Sequence, residues 1–362
     1  MIATGIATGK TADPAIAAQA VANAMNKLGI SHANSVLLFL SDAFARDPQP
    51  ALLAASRQSQ CMQISGCSAA GIFTEQDWVL DAPAAAAMVF SGNLHLNTAH
   101  TPKADDTLLA LTAPNAINHH WIKSPGQRFG GVAGDATGSG LYKVWNNSKV
   151  NPAGHCELSL PNTTGAIGLS HGIRALTAPV TVTASNGYDV LSLGRQYALN
   201  LLARELPLEI RELPRLPIHL IMAAEIYGDP DTALMDGRYR LIPVIATNPD
   251  DSSVTLASRL AVGSQMFWAI RQPLAAERSM RVALDRTEQI LAHTPQFAIV
   301  TSSSGRGPSF YGGVDKDIAV IQNNYPAMPF IGFYGNGEIC WLNDSNQLLE
   351  YATVFGLFHY DI

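Results

Sequence analysis

The sequence predicts an α+β fold, with mixed β-sheets flanked by helices and two pseudo-symmetric halves with a cleft between them. Three observations carry this. Near opposite ends of the chain the order helix, strand, loop, helix, strand and then G-x4-G occurs twice. Between these stretches lie apolar or alternating segments punctuated by Gly, Pro, Asn and Asp, which read as strands. Hydrophobic residues make up 47% of the 362 positions and charged residues only 14%, which suits a well-buried protein larger than one usual domain.

The elements follow in order. ATGIATGKTADP (3–14) contains Gly5-Ile6-Ala7-Thr8-Gly9-Lys10-Thr11, one residue short of a phosphate-binding loop. Asp13 and Pro14 instead read as the N-cap and first residue of a helix. Ala17, Ala20, Val21, Ala24, Met25 and Leu28 recur at helical spacing, and Gly29 ends the run. Lys10 and Thr11 fall ahead of the cap, whose carboxylate occupies the place an anion needs, so no nucleotide site is expected. Next come the strand SVLLFL (35–40), a short helix from Ala51 to Ser59, and the strand CMQIS (61–65) entering a turn from Gly66 to Gly71. The C-terminal counterpart has a helix from Leu274 to His293, the strand FAIVT (297–301), the loop SSSGRGPSFYGG and a helix around Asp317–Asn324. The strand PFIGF (329–333) then enters the turn Gly332–Glu338. RELPLEIRELPRLPI (204–218), rich in proline and charge, marks the boundary between regions 1–205 and 206–362. Matching the helices at 14–28 and 274–293 would make Lys10 and Arg271 counterpart cations at two strand ends.

Composition excludes several classes. The formal net charge is −6 with no Lys/Arg cluster, so the electrostatic footprint of a nucleic-acid binder is missing. Apolar stretches such as residues 82–90 are too short to span a bilayer, and no basic segment precedes an apolar core as in a secretory signal. Cys61, Cys67, Cys156 and Cys340 form no C-x-x-C pair and read as free thiols of a cytoplasmic protein. The histidines include the pair His119-His120 but no metal-binding spacing, so no metal centre is expected.

ISGCSAAG (64–71), FGGVAGDA (129–136), GLSHGIRALTAPVTVTASN (168–186), Gly263 to Arg271, SSSGRG (302–307) and GFYGNGEI (332–339) together resemble the FIST-domain family in order and spacing. The resemblance covers nearly the whole chain, as an N-terminal and a C-terminal FIST region. It implies sensing of a small ligand, with amino acids the usual proposal. Some bacterial members are haem-binding nitric-oxide sensors that act on a partner histidine kinase. Two departures stand out. Ser303 occupies a place where the family often has Cys, so thiol chemistry is not expected there. His171 replaces the usual Gln before Gly172, and the segment after it is only partly kept as Ile173-Arg174-Ala175-Leu176.

Ser303, Ser304, Gly305 and Arg306 follow a buried-type strand, where hydroxyls, backbone N–H groups and a guanidinium suit an oxyanion. Arg306 could instead pair with a structural acid. Glu338, after Gly337, could receive a ligand ammonium or pair with Arg306; both charges together would suit a zwitterion. Arg271 is a third candidate cation, with a structural role as its alternative. Cys67 and Ser68 sit where a nucleophile could, yet Ala70 stands where G-x-S-x-G needs Gly. An inert buried thiol competes there with a thiol-dependent hydrolase. His171 could serve as an axial haem ligand or as a hydrogen-bonded core histidine.

Overall fold

In the computed structural model, which describes residues 1–99, 101–135, 138 and 140–361, strand β1 (Ile2–Thr8) runs into helix α1 (Pro14–Leu28). Asp13 caps the helix, its carboxylate accepting from the Ala15 N–H at 2.8 Å. Then follow β2 (Ser35–Ser41), α2 (Gln49–Ser59), β3 (Ile64–Ala69), the hairpin β4 (Gly71–Thr74) and β5 (Trp78–Leu80), and β6 (Ala84–Phe90). β2 and β3 are parallel, β6 is antiparallel to β2, and β1 is antiparallel to β6. The order is β1-β6-β2-β3.

The same strand order, with no counterpart of α1 among the described residues, recurs at once in β7 (Asn97–Thr98), β8 (Thr107–Thr112), the one-turn α3 (His119–Ile122), β9 (Gln127–Val132), the hairpin β10 (Val144–Asn146) and β11 (Lys149–Val150), and β12 (His155–Ser159). β8 and β9 are parallel, and the order is β7-β12-β8-β9. β13 (Thr164–Ser170) opens a third round, which is interrupted by residues 171–272.

The interruption comprises β14 (Ile173–Ala175), β15 (Val180–Asn186), β16 (Asp189–Leu193), β17 (Gln196–Tyr197), α4 (Ala198–Glu205), α5 (Leu208–Arg211), β18 (Ile221–Ile226), α6 (Pro230–Asp236), β19 (Tyr239–Asn248), β20 (Ser253–Leu256) and β21 (Gln265–Arg271). α7 (Pro273–Leu291), β22 (Phe297–Ser303), α8 (Pro308–Tyr311), α9 (Lys316–Asn324), β23 (Phe330–Gly335), the hairpin β24 (Glu338–Leu342) and β25 (Ser345–Leu349), and β26 (Thr353–His359) complete the round. Its order is β13-β26-β22-β23, again around a parallel pair.

Each hairpin leaves its own sheet and extends another: β4 pairs with β23, β10 with β3, and β24 with β9. Mixed sheets with helices are as the sequence predicts. The repeat it shows twice is, however, present three times, so the picture of two halves is corrected to three interlocked rounds. Residues 1–169 and 281–362 form this unit. Its shared core draws Leu37 and Phe39, Leu109 and Leu111, and Ile299 and Phe333 from the three sheets. Val36, Leu38 and Leu40 instead meet α1 and α2. Alternate residues of SVLLFL thus enter two dry surfaces, which explains the unbroken apolar run.

Gly66 to Gly71 does not form the expected turn, because β3 runs through to Ala69. Gly66 has a different purpose. A Cβ there would lie 1.7 Å from the Leu38 carbonyl oxygen, at Gly130 2.2 Å from that of Ala110, and at Gly332 2.3 Å from that of Val300. Each glycine admits the neighbouring parallel strand at the same register position.

Residues 170–280 form the second unit. β15, β16, β20, β19, β18 and β21 pair in that cyclic order, all antiparallel, and β21 returns to β15. This closed barrel has no free edges in its ring. Val182, Val190, Ile221, Val254 and Trp268 fill it with Leu201 and Leu202 of the amphipathic α4. RELPLEIRELPRLPI falls inside this unit, between the end of α4 and β18. By sheet position the counterparts of β1 are β7 and β13, not the barrel strand β21. The expected equivalence of Lys10 and Arg271 is therefore wrong; matching helices misled because the barrel intervenes between β13 and α7.

Candidate functional site

The carboxyl ends of parallel strands are where α/β sheets leave room for ligands. In the first unit three such ends are joined in a ring. The Gly134 N–H donates to the Ser68 carbonyl at 3.3 Å, Ala70 to Tyr334 at 3.1 Å, and Asn336 to Val132 at 3.0 Å. In every round the donor lies two residues beyond the acceptor, so the three rounds align residue by residue.

That alignment exposes a break in the third round. Ser302 pairs with Tyr334 and Thr353 where the first round has Leu40 opposite Ser68 and Ala85, and the second Thr112 opposite Val132 and His155. The Ser302 and Thr353 hydroxyls lie 3.2 Å apart, and Thr353 donates to Asp317 Oδ2 at 3.1 Å. Arg306 grips the same carboxylate with Nε at 2.8 Å and Nη2 at 3.0 Å, and Tyr311 donates to its Oδ1 at 2.8 Å. The Arg306 and Asp317 side chains are 1% and 3% exposed. Asp315 caps α9 by accepting from the Ile318 N–H at 3.0 Å and also accepts from the Tyr334 hydroxyl at 2.6 Å.

The electrostatics follow from burial. Desolvation, with the Asp317 charge added, pushes the Asp315 carboxyl up to about 6. Burial, then Asp315, holds the Tyr334 phenol well above its usual range. Burial alone would lower the Arg306 guanidinium, but Asp317 beside it keeps it firmly charged.

The expected residues divide between the two units. Ser303 to Arg306, Gly337, Glu338, Cys67 and Ser68 all belong to the first. The Ser303 N–H donates to the Ala352 carbonyl at 3.0 Å, and the Ala352 N–H donates to Glu338 Oε2 at 3.1 Å, so one residue links the two turns. The Ser303 hydroxyl accepts from the Gly305 N–H at 3.3 Å, while Ser304 is exposed. The Gly337 carbonyl accepts from Val132 at 2.9 Å, and Ser68 Oγ from Lys143 at 3.0 Å. Cys67 is fully buried, and burial, followed by neighbouring Cys156, pushes its thiol well up, away from a nucleophilic thiolate. Arg271 is buried at the end of β21, opposite Ile173, in the barrel unit. His171 is buried there too, stacked on Tyr239 at 4.2 Å with Nε2 3.0 Å from the Gly237 carbonyl.

Sequence reasoning missed Asp315, Asp317, Tyr311, Tyr334 and Thr353. Asp-Lys-Asp ahead of an apolar helical run was the available signal, since it places one acid at the N-cap and a second in the first turn. Nearby, Asn336 is exposed and donates to the Tyr142 hydroxyl at 3.3 Å. The Asp135 carboxylate accepts from the Gly138 and Gly140 N–H groups at 2.7 and 3.0 Å. Ala136, at the end of FGGVAGDA, lies outside the described residues, as does the side chain of His119. Among the described residues no group of three side chains could hold a metal, and no helix is long and apolar enough to cross a membrane.

Comparison with known proteins gives the arrangement a family. An uncharacterized protein of Mycobacterium tuberculosis is 25% identical over 368 residues, covering 94% of this chain and 95% of its own length. Another, from Mycobacterium bovis, is 24% identical over 244 residues, covering 67% of this chain and 63% of its own. The FIST N domain matches residues 34–196 and the FIST C domain residues 197–341, so the chain belongs to the FIST family.

Proposed function

We propose that this FIST protein is a non-catalytic cytoplasmic sensor. Its third round binds a small polar metabolite, an amino acid or a similar zwitterion or anion, at the ring of strand ends and passes occupancy to a partner protein. The observation that supports this reading is the polar break in the repeat. Two sister rounds close the same ring without the Arg306–Asp317 cluster, so ring closure does not require it. A buried charged network is at best a weak source of stability, which leaves positioning of the exposed loop around Ser304 as its use. Ser304 follows Ser303, which lies opposite Gly335, and beyond Gly335 the Asn336 amide, Tyr142 phenol and Asp135 carboxylate are joined by hydrogen bonds of 3.3 Å. Neither alternative gains comparable support: the His171 nitrogen that would meet a haem iron faces a carbonyl, and the Cys67 thiol is buried.

Calorimetric screening of amino acids and short carboxylates tests the reading. A hit should weaken about tenfold, or about 1.4 kcal/mol, in Asn336→Ala and in Ser304→Ala, with the melting temperature little changed. Arg306→Ala is the wrong probe, since stranding Asp317 should cost about 3–5 kcal/mol of stability. A hit unaffected by both exposed-site variants would remove the site, and a library without hits would remove the ligand class.

A further inference from the structure

The other end of the third-round strands holds a cavity of about 770 Å³. β26 is antiparallel to β22, with Phe358 opposite Phe297, so His359 leaves the sheet far from Ser303. Asn93 and His95 after β6, Thr163 before β13, His293 after α7, His359 at the end of β26 and Asp361 beyond it line it, along with residues adjoining them. The volume suits a small molecule. Among the described lining residues three are imidazoles, none is Lys or Arg, and the one side-chain carboxylate, Asp361, is exposed.

The His359 geometry sets the chemistry. Nδ1 lies 3.0 Å from the Thr294 carbonyl, so it carries the hydrogen, and Nε2, 3.7 Å from Asp361 Oδ1, carries the ring's lone pair. The His293 ring stacks on it, centroids 4.6 Å apart and planes 16° from parallel. With both rings protonated, this stack would set like charges face to face, a cost that a bound anion would offset.

We propose that this cavity is an acid-gated anion site, which takes a small phosphate- or carboxylate-bearing molecule as His293 and His359 protonate. Among the described residues, the titratable groups facing it are His95 on the loop after β6, His293 after α7, His359 at the end of β26, and Tyr360 and Asp361 beyond it. With no Lys or Arg among the described lining residues, positive charge here can come only from the imidazoles, the side chains that gain a proton on mild acidification.

The test is titration of the full chain with inorganic phosphate and, separately, citrate at pH 5.8 and 8.0 and constant ionic strength, with imidazole proton resonances followed by NMR. At least one anion should bind about tenfold more tightly at pH 5.8 and raise the apparent His293 and His359 pKa values; the two arms distinguish a phosphate from a polycarboxylate ligand. His293→Gln, at an exposed position, and His359→Gln should each abolish the pH dependence. Equal affinity at both pH values, unmoved imidazole resonances, or pH dependence retained in both His variants would overturn the proposal. So would zinc binding that tightens with rising pH, which would make the imidazoles metal ligands.

Discussion

Asp315 sets a pH dependence whose sign can be worked out. Asp315 is 2% exposed, its carboxyl accepts hydrogen bonds from the Tyr334 hydroxyl and the Ile318 N–H, and the nearby Asp317 adds to the effect of burial. Burial lifts it from 3.8 to about 6. At about 1.4 kcal/mol per tenfold change in proton affinity, the folded state holds this proton on the order of 3 kcal/mol more tightly than the unfolded chain. Because the folded pKa is the higher one, this contribution is fully present below pH 3.8, falls as pH rises from 3.8 to 6, and is gone above 6. Asp315→Asn keeps an oxygen for the Ile318 N–H and cannot ionise. Urea denaturation of both proteins from pH 4 to 8 should show near-equal stability at pH 4. The variant should gain relative to wild type up to pH 6, reaching about 2–3 kcal/mol, and hold that gain above. A difference independent of pH, or one favouring wild type more as pH rises, would refute the argument.

Two further outcomes follow from burial and close packing. Gly130→Ala should lower stability by at least about 2–3 kcal/mol in denaturant melts, because the new Cβ meets the Ala110 backbone rather than a movable side chain; a neutral effect would mean that β8 and β9 can separate freely. In thiol labelling of the native protein half-buried Cys61 should react first, while buried Cys67, Cys156 and Cys340 react only as the chain unfolds. Prompt native-state labelling of Cys67 would reopen the thiol-hydrolase reading.

The sequence disclosed local elements well and the architecture only in part. The Asp13 cap, the buried strands and the repeated helix-strand-helix-strand units were legible because capping and apolar runs are local signals. The second round escaped because its parallel strands are joined by a short turn and the four-residue α3 rather than a full helix, so the marker of the repeat was missing. The barrel escaped as an insertion because its first strand follows β13 almost directly, and nothing in composition marks where one sheet hands over to another. GRG was visible as a cluster of unusual residues, but its acid partner was sought across the second glycine turn at Glu338. Asp317 was closer in sequence and hidden inside a helix start.

An internal repeat also supplies a control that a single sequence otherwise lacks. Where all three rounds agree, as at Gly66, Gly130 and Gly332, the shared contact with a neighbouring carbonyl is reason enough for the residue, and no function need be invoked. Where one round departs and the fold persists in the other two, folding alone cannot explain the departure. Leu40 with Ala85, and Thr112 with His155, show that this cross-strand position tolerates different pairs around the same ring. Ser302 and Thr353 therefore reflect what Asp317 and Arg306 require rather than what the sheet requires. Arg306 is in turn too buried to be a ligand's first contact. The cluster is best understood as a rigid mount, with recognition falling to exposed groups such as Ser304 and Asn336. For that reason the decisive substitutions are the mild ones at the rim rather than the severe one at the centre of the motif.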